Sequence, residues 1–142
     1  MNENFIAKAT IDVNASRSEV WDALIDPKAV KQYMFGTEVS TDWREGSPII
    51  WEGEWEGKKY QDKGVILKSE PERILQYSHF SPLSGQPDEA ENYHTVTIKL
   101  ADQGDQTRII LTQDNNETDE ERKQSQKNWE TMLSGLKEYL EN

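Results

Sequence analysis

The chain contains two histidines, His79 and His94, and each lies on the apolar face of a predicted strand. An imidazole in such a position can act as a general base, or it can orient a carbonyl or hydroxyl group of a bound ligand. Neither histidine has a second ligand at helical i, i+4 spacing and the chain has no cysteine, so the pattern disfavours a metal site. The alternative interpretation is a structural imidazole that is partly buried and hydrogen-bonded.

Large aromatic side chains indicate a second kind of site, a cavity for a hydrophobic or aromatic ligand. Trp51 and Trp55 share one face of a predicted strand, and Gly53 between them leaves a slot that a flat molecule could occupy. Ligand pockets are mostly apolar with a few placed polar groups. The same rings could instead fill the core, since aromatic residues contribute much of core packing. The predicted ligand-binding residues are Tyr33, Phe35, Trp51, Trp55, Tyr77, His79, His94 and Trp129.

Carboxylates and known catalytic motifs offer little support for an enzyme. Glu52, Glu54 and Glu56 alternate with Trp51 and Trp55, and this spacing favours a solvated sheet face over a catalytic pair. The chain has no nucleophile elbow, phosphate-binding loop, dinucleotide fingerprint or zinc-protease motif. We therefore predict no catalytic residue, no metal and no cofactor.

The composition favours a soluble protein with one domain. The 142 residues include 16 Lys and Arg against 27 Asp and Glu, which gives a formal net charge of −11. This acidity argues against binding to nucleic acid, and the lack of a long apolar run argues against membrane insertion and an export signal. Five Trp, five Tyr and three Phe argue against disorder. We expect one cytoplasmic domain that spans residues 1–142.

The first part of the sequence predicts one strand and two short helices. Residues 5–13 alternate between apolar and polar types, as a half-buried strand does. Ser16 and Glu19 have the spacing of a capping box, which begins a helix. Pro27 closes that helix and opens a second one, which Gly36 ends.

The remainder predicts an antiparallel sheet followed by a long helix. A capping box at Thr118 begins this helix, and its apolar stripe covers the C-terminal half, so its N-terminal half faces solvent or the mouth of a cavity. Residues 81–92 have no periodicity and predict a loop that could shape a ligand entrance. The predicted class is α+β, a curved antiparallel sheet wrapped around the C-terminal helix. Strand patterns occupy residues 38–41, 48–55, 60–69, 74–80, 93–100 and 107–113.

Several short segments carry a family resemblance, namely residues 11–13, 16–24, 26–27, 31–33, 64–67, 70–75, 107–109, 128–130, 132–133 and 136–141. In this order they resemble the START-like (Bet v 1-like) helix-grip domains. Among these, they are most similar to the family homologous to the C-terminal domain of the Hsp90 ATPase activator Aha1. The resemblance implies a seven-stranded antiparallel sheet that grips the C-terminal helix, with a cavity between them for small apolar ligands. It implies no fixed reaction, because one fold supports many functions.

Three functions remain open from the sequence. The leading hypothesis is binding, without catalysis, of a small hydrophobic or aromatic ligand between the sheet and the C-terminal helix. The second is a chaperone-associated interaction module, by analogy with the Hsp90 activator. The third is an enzyme of the cyclase or hydratase type, in which His79 or His94 acts as general base. The expected partners are a small hydrophobic ligand or a chaperone, with neither nucleic acid nor a membrane.

Overall fold

The fold is taken from a computed structural model that describes residues 5–55, 57–81, 86–116 and 118–141, with the Trp55 side chain outside this description. None of the described helices has the length and apolar character needed to cross a membrane. The elements, in chain order, are β1 (Phe5–Val13), α1 (Arg17–Ile25), α2 (Pro27–Tyr33), β2 (Glu38–Ser40), β3 (Pro48–Trp55), β4 (Lys58–Glu70), β5 (Ile74–His79), β6 (His94–Asp102), β7 (Thr107–Asn116) and α3 (Asp119–Glu141).

The strands form one seven-stranded sheet in the order β1-β7-β6-β5-β4-β3-β2. Each strand runs antiparallel to its neighbours. From β2 to β7 the sheet follows chain order, and β1 joins the far edge beside β7. The predicted α+β class, with a sheet around a long C-terminal helix and two short helices after the first strand, is confirmed.

The sheet has an irregularity where β4 meets β5. Gly64 lies so close to β5 that an added Cβ atom would be 1.8 Å from the carbonyl oxygen of Ser78. Val65 donates its backbone N–H to the Ser78 hydroxyl at 2.9 Å, and the register shifts between Ile66 and Lys68. Such irregularities increase the local twist and bend of a strand. This one therefore helps the sheet to curve around α3.

The two short helices begin where the sequence predicted, and each has a side-chain cap. The Ser16 hydroxyl accepts the Glu19 N–H at 3.1 Å, and the Glu19 carboxylate accepts the Ser16 N–H at 3.2 Å. Asp26 caps α2 with its side chain. An added Cβ on Gly135 would lie 3.2 Å from the Tyr33 carbonyl oxygen, so the C-terminal end of α2 lies against α3.

The core lies between the inward face of the sheet and the C-terminal half of α3. The buried residues of α3 are Met132, Leu133 and Leu136. Ile98 and Leu111 on β6 and β7 are buried in the same cluster. The confinement of buried side chains to one half of α3 agrees with the apolar stripe in the sequence.

The structure differs from the sequence prediction at several ends of elements. β4 begins at Lys58, β6 extends to Asp102 and β7 extends to Asn116, because backbone pairing continues past the apolar alternation. The predicted loop 81–92 contains a short 3-10 turn, Ala90–Asn92. Residues 82–85 of that loop lie outside the described residues.

Candidate functional site

A cleft of about 690 Å³ lies between the sheet and the N-terminal half of α3. Met34 and Phe35, which follow α2, form one apolar wall, and Trp129 and Met132 on α3 form another. The fold explains the position, because the apolar stripe fixes only the second half of α3 against the sheet. The volume falls within the range of about 300–1,000 Å³ that is typical of small-molecule sites.

Polar side chains from four consecutive strands line the sheet side of the cleft, namely Asp62, His79, His94 and Gln113. His79 and His94 are direct partners in the β5–β6 register, and their ring centroids are 6.4 Å apart. His94 Nδ1 lies 2.9 Å from the Asp114 carbonyl oxygen. Among the described residues, no group of three or more His, Asp and Glu side chains is placed to hold a metal ion.

Asp62 and His79 form a hydrogen-bonded pair. His79 Nε2 lies 2.9 Å from Asp62 Oδ2, and the side chains are 25% and 16% exposed. The other carboxylate oxygen, Asp62 Oδ1, is buried and has no hydrogen-bond partner among the described residues. Leaving a buried acceptor unsatisfied costs about 1–3 kcal/mol. This oxygen is closed off from the cleft, so the carboxylate contributes a buried negative charge next to His79.

A smaller pocket of about 60 Å³ adjoins the cleft on the sheet side. Trp51 and Tyr77 line it, with ring centroids 5.0 Å apart, and the Trp51 ring also meets the His79 ring edge-on at 5.1 Å. This inner pocket is large enough for a small polar or apolar group. The residues that line both spaces are Met34, Asp62, His79 and Trp129.

Phe35 lies at the cleft with its backbone in the left-handed region, at φ 54°. The Gly36 N–H donates to the Lys31 carbonyl oxygen at 2.7 Å, so Phe35 occupies the helix-terminating position that glycine usually fills. A non-glycine residue there costs about 1–2 kcal/mol. The side chain is 68% exposed, so packing does not offset this cost. The strained backbone presents an aromatic ring to the cleft.

Trp129 is held in place by a hydrogen-bond network. Its indole N–H donates to Gln113 Oε1 at 2.5 Å, and Gln113 is 8% exposed. The buried Asn116 donates to the Phe5 carbonyl oxygen at 2.9 Å and accepts the Ser125 hydroxyl at 3.0 Å. These bonds tie α3 to β7 and β1. They fix the orientation of the indole ring along the cleft wall.

The structure brings four of the predicted site residues together in the cleft. Phe35, His79, His94 and Trp129 all line it, although they come from four different parts of the chain. The two aromatic rings and the two imidazoles therefore surround one space. Their role in binding stays a prediction.

The other four predicted residues have different surroundings. Trp51 and Tyr77 line the inner pocket and are 5% and 6% exposed. Tyr33 belongs to the core, where its hydroxyl donates to the Leu24 carbonyl oxygen at 3.3 Å and burial raises its pKa well above the ordinary value. Burial also raises the pKa of Tyr77. The side chain of Trp55 lies outside the described part of the structure.

The slot predicted at Gly53 is filled by a tyrosine ring. Gly53 is paired with Tyr60 on β4, and an added Cβ on Gly53 would lie 2.4 Å from the Tyr60 hydroxyl oxygen. An aromatic ring laid over a cross-strand glycine is a known way to stabilise a sheet. The prediction of an open slot for a flat ligand here is wrong, because the pattern within one strand does not show which ring its neighbour supplies.

Sequence reasoning missed two of the polar residues in the cleft. Asp62 shares its strand face with the buried Ile66, and Gln113 shares its face with the buried Leu111. A polar residue at the end of an inward-facing alternation is the signal that could have found both. The polar half of the α3 pattern did predict that this half borders solvent or a cavity, and Ser125 lines the cleft.

Several solved structures have the same fold. ChR145 from Cytophaga hutchinsonii is 55% identical, with a TM-score of 0.87, and the match covers 100% of this chain and 97% of that chain. CalU16 from Micromonospora echinospora is 22% identical, with a TM-score of 0.72 and coverage of 98% and 85%. The Aha1 dimer from Colwellia psychrerythraea is 20% identical, with a TM-score of 0.75 and coverage of 96% of each chain. The last two likenesses show the fold alone.

The sequence also matches a protein family. No curated protein matches the chain. The model of the family "Activator of Hsp90 ATPase homolog 1-like protein" matches residues 14–141. The match runs from the start of α1 to the end of α3 and includes every residue assigned to the cleft above. The chain therefore belongs to the family of Activator of Hsp90 ATPase homolog 1-like proteins.

Proposed function

We propose that the protein binds a small hydrophobic or aromatic ligand in the cleft between the sheet and α3, without catalysing a reaction on it. The observation that supports this is a single space of about 690 Å³ in which aromatic walls, Phe35 and Trp129, face a few polar groups. Small-molecule sites have this composition. Family membership is compatible with ligand binding but names no ligand.

Affinity would come mainly from apolar surface that the ligand and the cleft walls remove from water. At about 25 cal/mol per Å², each additional ~55 Å² of buried apolar surface tightens binding about tenfold. Phe35 is a large contributor, because 68% of its surface is exposed in the free protein. The hydrogen-bonded Trp129 ring is already oriented, so binding loses little side-chain entropy there.

A titration monitored by NMR tests the proposal. A panel of naphthalene derivatives, flavonoids and single-chain lipids is added to ¹⁵N-labelled protein, and the tryptophan indole N–H signals are followed. We expect the Trp129 signal to shift at micromolar ligand, because its ring forms a cleft wall. Trp21, a buried α1 residue of the core, provides an internal reference that should not move. The absence of a Trp129 response to every compound would contradict the proposal.

A pair of variants localises the binding. Phe35→Ala removes the exposed ring beside the cleft, and we expect it to weaken binding about tenfold or more. Tyr139→Ala removes another exposed ring, 40% exposed on α3 in a position that does not line the cleft. This control should bind as the unmodified protein does. Equal losses in both variants would place the ligand elsewhere.

The family match favours a second candidate, a module that contacts an Hsp90-type chaperone. The net charge of −11 would suit a basic patch on such a partner. A pull-down together with a chaperone ATPase assay tests this candidate. Stimulation of ATPase activity that persists in Phe35→Ala would favour it, because that activity would not depend on the cleft.

A further inference from the structure

We infer that the inner end of the cleft selects ligands that carry hydrogen-bond donors there, hydroxyl or ammonium groups, and that it rejects ligands ending in a carboxylate. This inference rests on the proposed function and names the ligand chemistry of the same site. It follows from the direction of each hydrogen bond around the inner pocket. Tyr60, Asp62 and His79 line the inner pocket, and His94 lines the cleft beside His79.

Asp62 determines how the first acceptor, on His79, is presented. An ionised carboxylate can only accept, so His79 must donate its Nε2–H to Asp62 Oδ2 across the 2.9 Å contact. Asp62 Oδ1 remains without a partner among the described residues. In the neutral imidazole that donates from Nε2, Nδ1 is an acceptor. The Asp62–His79 pair thus presents one acceptor, His79 Nδ1, and has used its donor, while Asp62 adds a negative charge.

Tyr60 supplies another acceptor. The Thr37 hydroxyl donates its single hydrogen to the Met34 carbonyl oxygen at 2.8 Å. The 2.8 Å contact between the Thr37 and Tyr60 hydroxyls must therefore be donated by Tyr60. The Tyr60 oxygen keeps a lone pair and has no hydrogen left to offer. It lines the inner pocket together with Asp62.

The direction of the hydrogen bond can also be assigned for His94 and Trp129. The Asp114 carbonyl oxygen can only accept, so His94 donates from Nδ1, and its neutral ring leaves Nε2 as an acceptor. The indole N–H of Trp129 is used by Gln113. Amide donors lie at the outer edge, on Asn128.

Trp51 and Tyr77 also line the inner pocket, with an indole N–H that can only donate and a hydroxyl that can donate or accept. The preference for ligand donors therefore rests on the lone pairs of Tyr60, His79 and His94 together with the charge of Asp62.

The charge of the site also disfavours a ligand that ends in a carboxylate. Among the described residues that line the cleft and the inner pocket, Asp62 carries a negative charge, and none is a Lys or an Arg. The whole chain carries a net charge of −11. A ligand carboxylate would meet like charge and lone pairs, which is unfavourable for binding. A hydroxyl or an ammonium group would meet acceptors.

Four probes with one ring system test the inference on the unmodified protein. They are 2-naphthol, 2-methoxynaphthalene, 2-naphthoate and 2-naphthylmethylammonium, titrated calorimetrically at about pH 8. We expect the naphthol and the ammonium to bind about tenfold more tightly than the methyl ether, because each donates to an acceptor that is otherwise unsatisfied. The naphthoate should bind most weakly. Equal binding of naphthol and methyl ether, or tightest binding of naphthoate, would overturn the inference.

Variants assign the effect to named oxygens. Tyr60→Phe keeps the ring over Gly53 and removes one acceptor, and Asp62→Asn replaces a carboxylate by an amide. Tyr60→Phe should reduce the advantage of naphthol over its methyl ether to about threefold or less, and Asp62→Asn should reduce the advantage of the ammonium most. Asp105→Asn, in the exposed β6–β7 turn, makes the same charge change and should leave all ratios unaltered. An unchanged preference in both inner-pocket variants would contradict the assignment.

The outcomes also separate this inference from the proposed function. If all four probes bind equally at the cleft, the ligand-binding proposal stands, but the inferred preference for ligands with hydrogen-bond donors is wrong. If none of them binds and no compound of the wider NMR panel shifts the Trp129 signal, the proposed function is wrong, and the inferred preference for donors is wrong with it.

Discussion

Phe35 illustrates, at the scale of one residue, a conflict between stability and a surface for binding. Its φ of 54° is costly for any side chain, and its exposed ring gains little from packing. We expect Phe35→Gly to raise the free energy of unfolding by about 0.5–1 kcal/mol, because glycine adopts this conformation without a steric penalty. The same variant should lose affinity for aromatic ligands. Urea unfolding and the NMR titration measure the two effects.

Phe35→Ala is the matched control for this prediction. Alanine removes the ring but keeps the Cβ atom, so the backbone cost remains. We expect weaker ligand binding, as in the glycine variant, without the gain in stability. If alanine and glycine stabilise the protein equally, the ring and not the backbone is the source of the strain.

The polar pair in the cleft shows what one residue reveals in a sequence and what it conceals. His79 was predicted as a site residue, because it is one of two imidazoles and lies on an apolar strand face. Its partner Asp62 was not predicted, because it lies 17 positions away on the neighbouring strand. The register of β4 against β5 shifts between Ile66 and Lys68, close to this pair. Local alternation cannot show which residues such a shift places opposite each other.

The β4–β5 irregularity leads to a prediction at the scale of elements. A Cβ on Gly64 would overlap a backbone oxygen of β5, so either strand must move. We expect Gly64→Ala to lower the free energy of unfolding by about 2–3 kcal/mol. Gly104→Ala is the control, because its Cβ would enter open space and only the left-handed φ of 83° opposes it, at about 1 kcal/mol. Equal losses in urea unfolding would show that the close approach is easily relieved.

The Glu141 carboxylate links the end of α3 to Asn14, the residue that follows β1, and this leads to a pH prediction. The Glu141 carboxylate accepts from Lys137 at 2.7 Å and from the Asn14 backbone N–H at 2.8 Å. These hydrogen bonds, that of Lys137 first, lower the pKa of Glu141 below its ordinary value of 4.5. A carboxyl group with a lowered pKa stabilises the fold above that ordinary value, and its contribution is lost as the pH falls through the folded-state pKa.

We therefore expect Glu141→Gln to destabilise the protein at neutral pH and to converge with the unmodified protein in acid. Urea unfolding at a series of pH values measures this difference. Glu138→Gln, on the exposed side of the same helix, is the matched control. If Glu141→Gln lowers the free energy of unfolding by the same amount down to the lowest pH, the carboxylate charge is not the source of the stabilisation.

The elements themselves were largely predictable, because their signals are local. Ser16 with Glu19 predicted the start of α1, and Thr118 predicted the start of α3, where its hydroxyl accepts the Glu121 N–H at 3.0 Å. Strand patterns in the sequence, alternation or a short apolar run between turns, predicted a segment within each strand of the sheet. The ends of β4, β6 and β7 were less predictable, because hydrogen bonding between strands continues beyond the apolar residues.

At the scale of the whole molecule, the fold class followed from the order of the elements, but the shape of the cleft did not. The sequence showed that one half of α3 is apolar and that aromatic residues are plentiful. Whether the rings interlock or enclose a space depends on distances between elements. Tyr33, Trp51 and Tyr77 pack into the core cluster, while Phe35 and Trp129 border the cleft. A list of side-chain volumes does not distinguish these outcomes.

The net charge of −11 gives the last prediction, which concerns the field of the whole molecule. Asp62 in the cleft adds a nearby negative charge, and the described cleft residues include no Lys or Arg to oppose it. We expect the affinity for 2-naphthylmethylammonium to fall about fivefold or more between about 20 mM and about 500 mM NaCl, because salt screens the attraction. The affinity for 2-naphthol should stay within about twofold, since a neutral ligand does not feel the screened field. Calorimetric titrations at the two salt concentrations measure both ratios. If both probes show the same salt dependence, salt acts on the protein and does not screen the ligand charge. If the affinity for the ammonium probe does not change with salt, the long-range field does not contribute, and short-range hydrogen bonding accounts for the preference.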